Sequence, residues 1–153
     1  MLRETLLFMS ESQGVRGILT NLPGAGHMAA KFVAGETSEE ALATAKALND
    51  AGFRVTLDLL GESVSAREEA EAAARAYRAS LDQIEASEAV STISLKLTQL
   101  GLDIDHEFCF ENILGIVQHA ESLGNFVRID MESSEHTERT LERALRDGKN
   151  VLF

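Results

Sequence analysis

Thr92-Ile93-Ser94-Leu95-Lys96-Leu97 alternates polar and apolar residues without a break, and the same alternation recurs in Val55-Thr56-Leu57-Asp58-Leu59 and in Val127-Arg128-Ile129-Asp130-Met131. This is the period of a β-strand that turns one face to a core. One parity holds Val55, Leu57, Leu59, Ile93, Leu95, Leu97, Val127, Ile129 and Met131, all apolar. The other holds Thr56, Asp58, Leu60, Thr92, Ser94, Lys96, Arg128 and Asp130, polar and rich in charge. The pattern predicts strands over Phe53–Leu60, Val90–Leu97 and Phe126–Met131, with Asn150–Phe153 opening a fourth.

Helical signals fill the intervals. Thr37 with Glu40 makes a capping box, Ala41, Leu42, Ala45 and Leu48 recur at helical spacing, and Gly52 ends the helix. Ser65 with Glu68 predicts a second box, opening an Ala/Glu/Arg-rich helix that runs to about Ser87. Asp105 caps a helix with Phe108, Ile113, Ile116, Val117 and Leu123 on one side and Gly124 at its end; Ser134 caps a last one, Thr137–Arg146. Strands repeating every ~35 residues with a helix between them are parallel, joined by right-handed crossovers.

The strand parities choose between the two common architectures of this kind. A doubly wound sheet is covered by helices on both faces and is apolar on both. A barrel buries its outer face under helices, while its inner face holds polar groups and its chemistry sits at the carboxyl ends of the strands. These strands fit the barrel, and Asp58, Lys96 and Asp130 fall on the inner parity near those ends. They read either as a ligand site or as an ion-pair network that fills the lumen. A complete (βα)8 barrel takes roughly 250 residues, and this chain has 153. The expected fold is therefore α/β, the N-terminal half of a (βα)8 TIM-type barrel over residues 36–153, preceded by a helical N-terminal arm over 1–35. Such a half exposes strand edges, so a homo-oligomer or a missing C-terminal half-barrel is expected to cover them.

Composition narrows the function. The 14 Lys+Arg stand against 25 Asp+Glu, a formal charge of −11, which argues against nucleic acid as a partner. Met1–Gln13 carries Arg3, Glu4 and Glu11 where a signal peptide would be apolar, so a cytoplasmic location is expected. Cys109 is the only cysteine and sits in an apolar stripe, which reads as a buried reduced thiol. His27, His106, His119 and His136 form no metal-ligand spacing and read as surface residues, so no metal is expected. Gly24-Ala25-Gly26-His27-Met28-Ala29 matches a dinucleotide-binding pattern but lacks the strand before it, and reads as a turn. The charged face Glu68–Arg78 reads as the solvated side of a barrel helix.

Read as words, Val33-Ala34-Gly35-Glu36-Thr37, Thr56-Leu57-Asp58-Leu59-Leu60-Gly61-Glu62-Ser63-Val64, Ser94-Leu95-Lys96-Leu97-Thr98-Gln99-Leu100-Gly101-Leu102 and Gly124-Asn125-Phe126-Val127-Arg128-Ile129-Asp130-Met131-Glu132 resemble, in order, the flavin-dependent proline dehydrogenase family. The resemblance covers about residues 30–142. It implies a distorted (βα)8 barrel that holds FAD at the carboxyl ends of its strands. It also implies oxidation of L-proline to 1-pyrroline-5-carboxylate by hydride transfer to the flavin, with a quinone as electron acceptor. Lys96 matches the lysine close to flavin and to the proline carboxylate. Asp130 matches an active-site aspartate at the flavin, and Met131 its neighbour that touches the cofactor. Asp58 resembles the aspartate near the substrate, and Glu62 the loop glutamate that closes the site on an arginine of the last helix. With a quinone as acceptor, the resemblance is also compatible with a peripheral position at the inner membrane. The family's second half supplies further flavin contacts and an arginine clamp that these 153 residues do not contain, so by itself the chain is expected to hold FAD weakly and to be inactive. From the residues alone two other readings stand: a Schiff-base lysine barrel enzyme using Lys96, and a non-catalytic half-barrel that serves as an oligomerisation or binding module.

Overall fold

Helix caps and glycines divide the chain as their chemistry requires. The computed structural model describes residues 34–35, 37–61, 64–130, 132 and 151–152. Helix α1, Ser38–Asp50, begins at Thr37, whose hydroxyl accepts the Glu40 N–H at 3.3 Å. It ends before Gly52, at φ 88°, a conformation that costs glycine nothing. Strand β1 is Val55–Asp58, α2 is Arg67–Ser87, and β2 is Ser91–Leu95. A 3₁₀ turn over Thr98–Leu100 leads to α3, His106–Ser122, whose N-cap Asp105 accepts the Phe108 N–H at 2.9 Å. Strands β3, Val127–Ile129, and β4, Val151–Leu152, complete the described elements.

The order in the sheet is β1-β2-β3-β4, and every neighbouring pair is parallel. Register sets Leu57 beside Ile93 and Ile93 beside Val127, so the apolar parity forms one continuous surface. Helices α2 and α3 cover it. Their stripes of Ala74, Tyr77, Leu81 and Ile84 and of Cys109, Ile113, Ile116 and Ala120 enclose a core with Ile93, Leu95, Val127 and Ile129. On the opposite parity Thr56, Asp58 and Arg128 are exposed. Asn49 and Asn125 tie the amino ends of the strands together. Asn49 bonds Phe53 and Val90 main chain, and Asn125 bonds the Ser91 carbonyl, at 2.9–3.0 Å. Arg67 joins the start of α2 to that of α3, lying 4.5 Å from the Phe108 ring centroid and 3.3 Å from Asp105.

Three details differ from the sequence reading. The cap of α2 is Ala66, not Ser65, and the carboxylate that closes it is Glu69, not Glu68: Glu69 Oε2 accepts the Ser65 and Ala66 N–H groups at 3.1 and 3.2 Å. Glu69 stands three residues past the true cap, the geometry the box requires. The strands are shorter than the alternating segments at both ends: Phe53 and Val90, 63% and 59% exposed, precede β1 and β2, and Leu60, Lys96, Leu97 and Asp130 lie beyond the carboxyl ends. His119 is not simply a surface residue; it is half-buried and bonded to Asp82 at 2.7 Å, joining α3 to α2. Residues 1–33 of the expected N-terminal arm, with the 24–29 turn and His27, and also His136 and the 137–146 helix, lie outside the described residues.

The fully buried Leu81 belongs to the core that α2 shares with the sheet and α3. Leu81→Ala is expected to cost about 2–5 kcal/mol in denaturant unfolding, whereas Leu60→Ala, at a side chain 85% exposed, should change stability by less than about 0.5 kcal/mol.

Candidate functional site

Parallel pairing brings the carboxyl ends of β1, β2 and β3 side by side, and the polar parity of each carries its charge there. Asp58 is in register with Ser94, and Ser94 with Arg128. One step below, Thr56 and Thr92 share a hydroxyl hydrogen bond of 3.1 Å. Above, the Lys96 ammonium donates to Asp58 Oδ2 and lies 3.6 Å from Asp130 Oδ2. The Ser94 hydroxyl donates to Asp130 Oδ1, leaving Oδ2 for the lysine. The structure therefore brings together Asp58, Lys96 and Asp130 from three adjacent strands. Glu62 and Met131, the other two candidates, lie outside the described residues.

The cluster holds one cation and two anions. The Lys96 side chain is 25% exposed and those of Asp58 and Asp130 are 42% and 44% exposed, so all three reach solvent at the mouth of the strands. Burial pulls the lysine pKa down, but the Asp58 hydrogen bond and charge and the Asp130 charge outweigh it, and the net shift is upward. Lys96 is thus a fixed cation. A lysine that attacks a carbonyl needs the opposite shift. A cavity of about 890 Å³ lies between α1 and β1, lined by Leu42, Leu48, Leu57 and Tyr77 among others; Lys96 and Asp130 do not line it.

Beneath the charged layer is a buried polar pair absent from the sequence reading. Tyr77, on α2, donates from its hydroxyl to Gln99 Oε1 at 2.7 Å. Both residues are buried. Burial first, and then the carboxylates of Asp58, Asp130 and Glu132, push the phenol well above the usual tyrosine pKa, against a lowering contribution from the Lys96 main chain. The hydroxyl stays a neutral donor. Gln99 in turn sets the residue opposite it. A Cβ on Gly61 would stand 1.9 Å from Gln99 Nε2, and the amide is held by Tyr77, so glycine is the residue that fits there. The signal available in the sequence was the one tyrosine, in register with the Ala70, Ala74, Leu81 and Ile84 stripe. A buried phenol on a core stripe requires a partner.

Compared with solved structures, the chain matches the crystal structure of proline utilization A (PutA) from Bdellovibrio bacteriovorus inactivated by N-propargylglycine. The TM-score is 0.73 over 86% of this chain and 16% of that one, at 22% identity. That likeness is one of fold, and it makes the parallel sheet and its helices consistent with part of a TIM-type barrel. At the level of sequence, the proline dehydrogenase family model matches residues 41–147. Proline dehydrogenase 1 of Bacillus subtilis (strain 168) is 36% identical over 141 residues, which are 92% of this chain and 46% of that protein. Proline dehydrogenase 2 of the same organism is 35% identical over 140 residues, with the same coverage. The proline dehydrogenase of Deinococcus radiodurans is 29% identical over 120 residues, 76% of this chain and 39% of that one. The chain belongs to the proline dehydrogenase family. It spans about half the length of the curated relatives it matches.

Two outcomes follow from the site's energetics. Tyr77→Phe leaves Gln99 Oε1 without its buried donor and should cost about 1–3 kcal/mol; adding Gln99→Leu should cost less than the two single changes summed, read from a double-mutant cycle in denaturant. Because the folded-state pKa of Lys96 lies above its ordinary value of 10.5, its pairing stabilises fully below that pH and fades as pH rises through the raised value. A plot of stability against pH should therefore fall less steeply above pH 10.5 in Lys96→Met than in the parent.

Proposed function

We propose that this chain forms the N-terminal half of the catalytic barrel of a flavin-dependent proline dehydrogenase, which oxidises L-proline to 1-pyrroline-5-carboxylate and passes the electrons to a quinone. The observation that carries the reading is the Lys96 ammonium held between Asp58 and Asp130 at the carboxyl ends of three adjacent strands. Proline is a zwitterion, with a carboxylate for Lys96 and a secondary ammonium for the two aspartates. The site matches both charges, and the raised pKa of Lys96 keeps its charge in place over the physiological range.

The residues present also fit a flavin. An ammonium has three N–H donors; the two aspartates leave one for the proline carboxylate, and a flavin acceptor would share that N–H or take one now given to an aspartate. Lys96, Asp130 and Met131 would hold the polar edge of FAD, which when bound takes the hydride from the proline ring. Loss of hydride next to nitrogen needs the amine unprotonated. Asp58 and Asp130 orient its N–H, and their exposure gives the released proton a path to water. The setting of the reaction is the cytoplasm, at a membrane that holds the quinone. The Schiff-base reading is disfavoured by the direction of the Lys96 shift.

In the complete gene product, proline-dependent reduction of a quinone analogue should fall about 10²- to 10³-fold in kcat/KM for Lys96→Met, the cost of losing a fixed charge from a catalytic site. Activity kept within threefold of the parent would sink the assignment. The purified 153-residue chain is expected to retain substoichiometric flavin. A stable oligomer free of flavin, with no proline oxidation by the complete product, would replace this reading with that of a non-catalytic binding module.

A further inference from the structure

Lys96 lies between two bridges that start from the same place. Asp130 N–H donates to the Leu95 carbonyl at 2.9 Å, one residue before the lysine. Two residues beyond Lys96, the Glu132 carboxylate takes both donors of Thr98: the N–H reaches Oε2 at 3.0 Å and the hydroxyl reaches Oε1. Glu132 follows Asp130 by two residues, so the segment leaving β3 grips the segment leaving β2 on both sides of the lysine. Thr98 is 3% exposed and opens the 3₁₀ turn that carries Gln99. A charged acceptor with two donors from one residue is a stronger tie than the main-chain bond beside it.

We infer that Glu132 is a positioning residue, whose bidentate hold on Thr98 sets the separation of Lys96 and Asp130 and so the charge geometry offered to the substrate. The inference rests on the function proposed above. Glu132 touches neither Lys96 nor Asp130 in the structure's hydrogen bonds and ion pairs. It acts on the main chain that presents them. Loss of the carboxylate frees Thr98, lets the turn after Lys96 move, and loosens the lysine from Asp130.

The test reads Lys96 itself. Competitive acylation of lysines in the 153-residue chain, followed by mass spectrometry with Lys46 as internal reference, measures how far pairing suppresses the Lys96 amine. Glu132→Ala should raise the relative rate about threefold, the effect of half a pKa unit, with Glu132→Gln and Thr98→Val intermediate and Thr98→Ser like the parent. In the complete gene product Glu132→Ala should then lower kcat/KM for proline about 10- to 100-fold, as a misplaced site does, mostly through KM, with Glu132→Gln recovering part of it. An unchanged Lys96 rate in Glu132→Ala and in Thr98→Val overturns the inference, as does a raised rate with unaltered kinetics where Lys96→Met is inactive. Full activity of Lys96→Met would instead defeat the proposed function while leaving the acylation result to stand on its own. Should Glu132→Ala fail to fold, Thr98→Val carries the same comparison, since it removes the hydroxyl half of the tie.

Discussion

Asp58 and Asp130 come from the two strands that flank β2, and the Lys96 ammonium at the end of β2 stands between their like charges. The constraint reaches well beyond the three side chains. Asp58, Lys96 and Asp130 meet because β1, β2 and β3 run parallel and hold one register; a slip of one residue would turn each of them into the core and bring leucine and isoleucine to the mouth. The register is held from the other face. Ile93, Leu95, Val127 and Ile129 lock into the stripes of α2 and α3, and the polar face takes the position this packing leaves it.

The two faces follow different physics. The helix-covered face is secured by burial, which is non-directional and tolerates exchange of one aliphatic residue for another of similar size. The open face depends on directed bonds. Thr56 pairs with Thr92, Ser94 with Asp130, Lys96 with both aspartates, and Glu132 with Thr98. Tyr77 connects the two regimes: its ring lies in the core and its hydroxyl reaches the polar layer through Gln99. The phenol's pKa is raised first by its burial, and the carboxylates of Asp58, Asp130 and Glu132 add a smaller push in the same direction.

Much of this was legible along the chain. Alternation in three segments, with helical periodicity and caps between them, specified parallel strands and their polar parity, and the three charges on that parity turned out to be neighbours. The caps at Thr37 and Asp105 were legible because an N-cap bond spans three residues. Box closure at α2 was displaced by a residue, since Glu68 and Glu69 are both carboxylates and only the true start of the helix distinguishes them. Gln99 and Glu132 were read as letters of motifs and not as bonded groups. Their partners, Tyr77 and Thr98, lie 22 and 34 residues away, too far for any local pattern to register.

The sequence alone determined which residues face the core, which face the mouth, and that the strands are parallel, because those properties follow from periods of two and of 3.6 and from connection length. It also carried the motifs that mark the family. Tertiary structure alone decided which carboxylate Lys96 binds directly, that the lysine is shifted toward the charged form, and that β3 grips β2 on both sides of it. Those depend on distances of a few ångströms between segments far apart in the chain, and charge–charge and hydrogen-bond energies vary steeply over that range while sequence periodicity is blind to it.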